Sequence, residues 1–268
     1  MENLTNDIVE HVKDTENEIE YLKFKNQDIT VIYTLSPYDV DFSRSYHPFY
    51  DEKRIETSYR KLCASLNVAS YDIIKPNQCH GDTIRVAKRE EFFKDTDALI
   101  TNERNMLIAL TYADCTPILF YDPINGAVGN AHSGWRGTVQ RIGIKTAEKM
   151  KHHYGTNIED LKVYIGPNIS MDHFEVREDV KEAFEEEFKE LNSSDYIKEI
   201  GTYQTGEKKY LVNTSFVNKE ILKNLGVKEE NIFDSNICTA CHPEVMPSHR
   251  LDNNSGRSLA IISLKKLV

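Results

Sequence analysis

His80, Cys115 and His132 are the residues of this chain whose types could do chemistry together. They lie in three stretches: Gln78-Cys79-His80-Gly81, Ala113-Asp114-Cys115-Thr116-Pro117 and Ala131-His132-Ser133-Gly134-Trp135-Arg136-Gly137. In each, an apolar strand-like run adjoins a turn marked by Gly or Pro, which is where sheet proteins gather ligands. Taken singly, each residue has an ordinary reading: a histidine before glycine as part of a turn, a cysteine as a small packing group. Taken together, two imidazoles and one thiolate make a borderline-soft donor set suited to zinc, with copper as a competitor in vitro. Three protein ligands leave the fourth tetrahedral position open, as a catalytic rather than a structural ion requires.

The elements that must position these groups centre on Gly129 to Gly137. An apolar run, Ala127 to Ala131, delivers His132, glycines follow at 134 and 137, and the only tryptophan, Trp135, stands beside Arg136. From Thr138 the spacing of Val139, Ile142, Ala147 and Met150 predicts a helix reaching about His153. Strand, glycine turn and helix start then hold a guanidinium beside an imidazole. Arg136, with the backbone around Gly134 and Gly137, is the candidate anchor for an anion, since a guanidinium presents a bidentate fork and stays charged. Two roles fit Asp114, a proton shuttle or an acceptor that holds a metal-bound histidine. Gln78 and Arg250 join Arg136 as candidates for substrate contact, and for Arg250 pairing with an acidic neighbour is the plain alternative.

Length and composition set the frame. The 268 residues favour one large domain spanning 1–268, and a net charge of −10 opposes non-specific nucleic-acid binding. No apolar run approaches the roughly 20 residues of a membrane span. The first residues, MENLTNDIVEHVKD, show neither a basic start nor an apolar signal core, so a cytoplasmic location is expected. Five cysteines, an odd number, read as thiols or ligands rather than as a disulfide framework.

Along the chain, residues 1–25 read as a peripheral polar helix and Ile29 to Thr34 as a strand. Tyr33 to Tyr50 reads as a long loop, and Ile55 to Leu66 as a helix with Cys63 on its packing face. Strands are expected at Ile73–Lys75, Thr83–Ala87, Asp97–Thr101, Met106–Tyr112, Ile118–Tyr121, Val163–Ile165, Tyr210–Val212, Ile232–Phe233 and Leu259–Leu264. An amphipathic helix is expected around Val180 to Phe188. Another, capped by Asn213 or Thr214, should end near Gly226. No repeat or linker justifies a domain cut.

Several ordered motifs carry a family resemblance: QCHG (78–81), DALIT (97–101), TYADCTPILFYDP (111–123), AHSGWRGT (131–138), IGPNIS (165–170), CT (238–239), SHR (248–250) and SGR (255–257). With these the chain resembles the YfiH/YlmD-type laccase-domain family from Gln78 to the carboxyl terminus, residues 1–77 being the least family-like part. The resemblance implies an α+β fold of layered α/β type with mixed β-sheets, CNF/YfiH-like. It further implies zinc held by His80, Cys115 and His132. The activity it implies is phosphorolysis of purine nucleosides (adenosine, inosine and guanosine), with adenosine deamination and methylthioadenosine cleavage, and an older description as a copper polyphenol oxidase. Purine nucleosides and phosphate are then the partners, with no nucleic acid and no membrane; oligomeric state is left open. Two departures stand out. The chain lacks the threonine-arginine-glycine-glycine segment expected near Thr34 to Tyr38, and Asn213 stands where aspartate is expected.

Cys238-Thr239-Ala240-Cys241-His242 matches the c-type haem attachment pattern, and its first four residues match a zinc half-site. Haem attachment calls for export, and a structural zinc needs a second ligand pair that the sequence does not display, so both cysteines read as ordinary thiols near the site. Three alternatives to the phosphorylase remain: a thiol hydrolase with Cys115 activated by His132 or His80, a copper oxidase, and a non-catalytic binding protein. The oxidase is weakened by the absence of any His-x-His pair. Only His152-His153, on an expected exposed helix face, are adjacent.

Overall fold

The computed structural model describes residues 3–25, 28–36, 40–43, 51–89 and 91–264. The chain opens with a hairpin, β1 (Val9–Asp14) and β2 (Ile19–Phe24), continued by β3 (Thr30–Thr34). This corrects the expected amino-terminal helix, and the reason is local. Val9 and His11 alternate inward, and the polar content that suggests a surface helix includes a buried pair, with His11 Nε2 2.7 Å from Glu20 Oε2. The expected loop 33–50 falls outside the described residues at 37–39 and 44–50. Helix α1 (Glu52–Leu66) begins at Asp51, whose carboxylate accepts the Arg54 N–H, and buries Leu62 and Leu66; Cys63 packs beside them.

Next come β4 (Ile73–Ile74), β5 (Ile84–Val86), β6 (Ala98–Thr101), β7 (Leu107–Tyr112), β8 (Thr116–Asp122) and β9 (Ala127–Ser133). The single helix expected after β9 is two, α2 (Trp135–Val139) and α3 (Ile142–Tyr154). Arg141 breaks it by adopting a left-handed backbone (φ 57°), held there by ion pairs to Glu187 and Glu190. The remainder runs β10 (Lys162–Ile165), β11 (Glu175–Val176), α4 (Glu178–Glu187), β12 (Ile197–Thr202), β13 (Lys208–Val212), α5 (Thr214–Leu225), β14 (Ile232–Asp234) and β15 (Ser258–Ser263). Asn213 caps α5 by accepting the Phe216 N–H, and Gly226 ends it. The short β11 and the mostly exposed β12 are not among the expected strands, because neither has an apolar periodicity to reveal it.

Two six-stranded sheets form the centre, in the orders β1-β2-β3-β15-β7-β4 and β14-β10-β8-β9-β6-β5, with β11-β13-β12 as a small third sheet. Both large sheets are mixed: β4–β7, β5–β6 and β10–β14 pair parallel and the other ladders antiparallel. Period-two alternation decides the layers. Ile108, Leu110, Ala260 and Ile262 face Leu99, Leu119 and Val128 between the two sheets. Leu107, Ala109, Leu259 and Ile261 turn the other way, onto α1, while Ile100, Phe120, Ala131 and Val163 turn onto α3 and α5. Each sheet is thus buried on both faces, which explains near-continuous apolar runs in antiparallel strands. The fold is α+β with layered mixed sheets.

Candidate metal centre and substrate cavity

Sheet register assembles the site. β8 and β9 pair so that Thr116 faces Ser133, which sets Cys115 against Gly134 just beyond the ladder. β6 and β9 pair Ala98 with Ala131, which sets Asp97 against His132. β5 runs parallel to β6 with Ile84 opposite Ala98, bringing the turn at 79–81 to Asp97. The ligand atoms of His80, Cys115 and His132 consequently lie within 4.8 Å of one another, and the two imidazole rings meet edge-on with centroids 4.8 Å apart. His132 is buried, Cys115 half-buried and His80 exposed, so the cluster opens outward.

Asp97 braces this arrangement. Its Oδ1 accepts the His80 N–H at 3.0 Å and lies 2.9 Å from His132 Nδ1, while Oδ2 accepts the N–H groups of Cys79 and Gly81 at 3.0 and 2.9 Å. With Nδ1 occupied, His132 presents Nε2 to the cluster, the tautomer control that metal-ligating histidines require. Burial alone would raise the Asp97 carboxyl, but His132 and these N–H groups hold it well below the usual carboxylate range. The left-handed backbone of His80 (φ 63°) lets its N–H join its neighbours' at one carboxylate. In sequence Asp97 reads only as the start of a strand; its signal is a carboxylate opening an apolar run, DALIT.

The donor set fits a tetrahedral cation, whose bound N and S atoms stand about 3.4–3.6 Å apart. Space is reserved for it. A Cβ on Gly134 would come within 3.1 Å of Cys115 Sγ and 3.2 Å of His80 Cδ2, so any larger residue there intrudes on the ligands. Burial pushes the Cys115 thiol up and the His132 imidazolium down, yet each reverses the other. The charge on His132 brings Cys115 down to about 6, and the thiolate, with Asp97, raises His132 to about 9. A bound cation would replace that imidazolium proton as the compensating charge.

His80 and Cys115 line a cavity of about 400 Å³, with His132 buried behind them. Asp114, Arg136 and Arg250 reach it, as sequence suggests, together with Phe174 and His249, which sequence reasoning does not single out. The Arg136 guanidinium lies 4.2 Å from the Trp135 ring centroid, and that of Arg250 donates to the Glu175 carbonyl and lies 5.4 Å from the Phe174 ring. Asp114 holds neither histidine. Its two oxygens accept the Thr239 hydroxyl (2.6 Å) and the Arg250 N–H (2.7 Å), so the holding role belongs to Asp97. Gln78 is not brought to the cavity: its buried amide is bonded to the backbone N–H and C=O of Thr111, tying the His80 turn to β7.

Residues 35–265 match the family described as multi-copper polyphenol oxidoreductase laccase. The chain belongs to that family. It is 32% identical to a purine nucleoside phosphorylase of Bacteroides thetaiotaomicron over 81% of this chain and 82% of that one. It is 30% identical to an adenosine deaminase from an unknown prokaryotic organism, over 80% and 84%. The purine nucleoside phosphorylase YlmD of Bacillus subtilis is 34% identical over 65% of this chain and 60% of its own length. Among solved structures, a Bacillus licheniformis protein titled hypothetical protein YfiH superposes with a TM-score of 0.82 at 26% identity, covering 91% of this chain and 96% of that one. The family segment contains every residue of the cavity named above. Within this laccase-family fold, no described helix is long and apolar enough to cross a membrane.

Proposed function

We propose that this chain is a zinc-dependent purine nucleoside phosphorylase acting on adenosine, inosine and guanosine, with adenosine deaminase and methylthioadenosine phosphorylase activity. The observation that carries the reading is the convergence of His80, Cys115 and His132, the first two of which line one cavity with two guanidinium groups. About 400 Å³ falls within the range of small-molecule sites. Relatives named as a phosphorylase and as a deaminase support both chemistries on this one site.

Phosphorolysis places an anion against the anomeric carbon while the purine departs. Arg136 holds the phosphate, its planar fork steadied on Trp135. Phe174 and Arg250 offer a wall on which a purine can stack. His80, Cys115 and His132 would hold zinc, and the ion when bound would supply Lewis acidity able to polarise a substrate atom or acidify water. Asp114 keeps Arg250 placed at the cavity; acting as a proton shuttle as well would require it to loosen one of its two donors. The test is chromatography of the products that metal-quantified protein forms from adenosine and phosphate. Adenine reports phosphorolysis, inosine deamination, and hypoxanthine both in sequence. His132→Ala should lose zinc and inosine phosphorolysis together; persistence of both sinks the reading.

One observation favours a second reading, a hydrolase with Cys115 as nucleophile, namely the thiol held down to about 6 beside His132. Zinc and alkylation separate the two. Under the metal reading, metal-free protein is alkylated at Cys115 at neutral pH and zinc protects it. Ester hydrolysis that survives chelation and ends on alkylation would favour the hydrolase.

A further inference from the structure

A second cluster of soft donors lies outside the first. Cys238 and Cys241 belong to the turn 238–241, and the sequence offers no partner pair for them. The structure supplies a single third ligand from 65 residues upstream: His173 Nδ1 lies 3.6 Å from Cys238 Sγ and 3.8 Å from Cys241 Sγ. All three ligand atoms lie within 4.8 Å of one another, and both thiols are free. In a tetrahedral thiolate–imidazole site the sulfur–nitrogen separation is about 3.5 Å and the sulfur–sulfur separation about 3.8 Å. The donors are therefore nearly at bonding spacing. Ser170 donates its N–H to Cys238 Sγ at 3.3 Å, a bond that steadies a thiolate and aims it, and Ser170 Oγ lies 3.4 Å from the same His173 nitrogen.

We infer that His173, Cys238 and Cys241 form a second cation site, for a thiophilic divalent ion of the zinc class, which staples one wall of the substrate cavity. Two thiolates and an imidazole suit such an ion over magnesium or calcium. As it binds, both thiol protons leave to solvent. Cys241 is exposed and His173 partly so, which leaves the fourth position to water.

The staple acts on the cavity because both of its ends belong to cavity-bearing segments. Asn168 and Cys238 already form an isolated bridge, and the Thr239 N–H donates to the Asn168 carbonyl. Phe174, adjacent to His173, lines the cavity, and the neighbouring Glu175 carbonyl receives the Arg250 guanidinium. Thr239, between the cysteines, donates to Asp114. Closing the cluster thus fixes Phe174, Arg250 and Asp114 relative to one another. The inference goes beyond the proposed reaction and stands on different ligands.

The test loads reduced full-length protein with excess zinc, removes unbound ion by gel filtration, and counts zinc and free thiols per chain. Wild type should carry two equivalents. Cys241→Ala and His173→Ala should each carry one, and His132→Ala should also carry one, so that failure of either site is read separately. Cobalt substitution should give a thiolate charge-transfer band that weakens, without vanishing, in Cys241→Ala. Because Cys241 is exposed and His173 partly so, both variants are expected to fold, which circular dichroism checks. A single equivalent in wild type that Cys241→Ala and His173→Ala retain, two retained in both variants, or two thiols lost to a disulfide in reduced, zinc-loaded protein would each overturn the inference; a single equivalent that His132→Ala keeps and Cys241→Ala loses would uphold this site and sink the first.

Discussion

The two histidine–cysteine clusters use the same donor types and differ in what holds them. His80, Cys115 and His132 are set by strand register and by a buried carboxylate that accepts three backbone N–H groups and lies against an imidazole. His173, Cys238 and Cys241 hang on two short turns, and Cys238 Sγ receives one backbone N–H. The first arrangement is braced by buried hydrogen bonds that do not involve an ion, the kind of preorganisation the proposed catalysis calls for. The second has, among the described residues, no buried carboxylate against its imidazole, and its contacts are the Ser170 N–H to Cys238 Sγ and the Ser170 hydroxyl beside His173. Polar support behind the ligands, more than the ligands themselves, is what separates the cluster proposed for chemistry from the one proposed to fasten loops.

The strongest way to break this comparison is to remove the carboxylate. Asp97→Ala leaves the His132 ring N–H and three backbone N–H groups without an acceptor, which should cost about 3–5 kcal/mol of stability, read by urea denaturation. Asp97→Asn should lower cation affinity about 10–100-fold in competition with a chelator, His132 having lost its orienting charge. Direction in pH follows from the depressed carboxyl. Its folded value lies below the unfolded one, so the stabilisation is complete above about pH 4 and is lost as pH falls further. Wild type and Asp97→Asn should therefore converge in stability as pH falls below about 4, toward protonation of the wild-type carboxylate. Matching losses from His173→Ala in ion-free protein would erase the distinction; instead its effect should stay within about 0.5 kcal/mol.

Smaller perturbations of the first cluster sharpen the comparison. Gly134→Ala puts a methyl 3.1 Å from Cys115 Sγ, which should destabilise by about 1–3 kcal/mol and eject the ion without touching a ligand. The zinc count of the second cluster should be unchanged. Arg136→Ala should weaken phosphate by the worth of a charge-assisted contact, about 1.5–3 kcal/mol, seen as a raised KM for phosphate with zinc retained.

Much of this was legible in the residues because apolar runs and turn residues report strands locally. The strands that carry the His80–Cys115–His132 cluster are legible within a residue or two, and the resemblance joins the three residues. What could not be read depends on distant chain. Asp97 reveals its role only once β6 lies against β9, and His173 only once its turn meets residues 238–241. The amino-terminal hairpin was hidden differently: His11 and Glu20 satisfy each other in the interior, so two polar residues occupy core positions that composition assigns to the surface. Gln78 looked like a substrate contact because its motif neighbours a ligand, whereas its amide serves the backbone of Thr111.

The smallest expected effect belongs to the residue between the two clusters. Asn213 borders a hollow shared with Cys238, and the next residue, Thr214, lines the cavity that holds Cys115. Its side chain accepts the Phe216 N–H at 3.0 Å, capping α5. Aspartate keeps that bond and adds a negative charge at the positive end of the helix, so Asn213→Asp should raise stability by about 0.3–1 kcal/mol in thermal denaturation. Both zinc equivalents and the KM for nucleoside should stay as in wild type, since a capping side chain reaches neither ligand set. A changed zinc count would mean that the start of α5 couples the clusters, and that the loop-borne site is not independent of the strand-borne one.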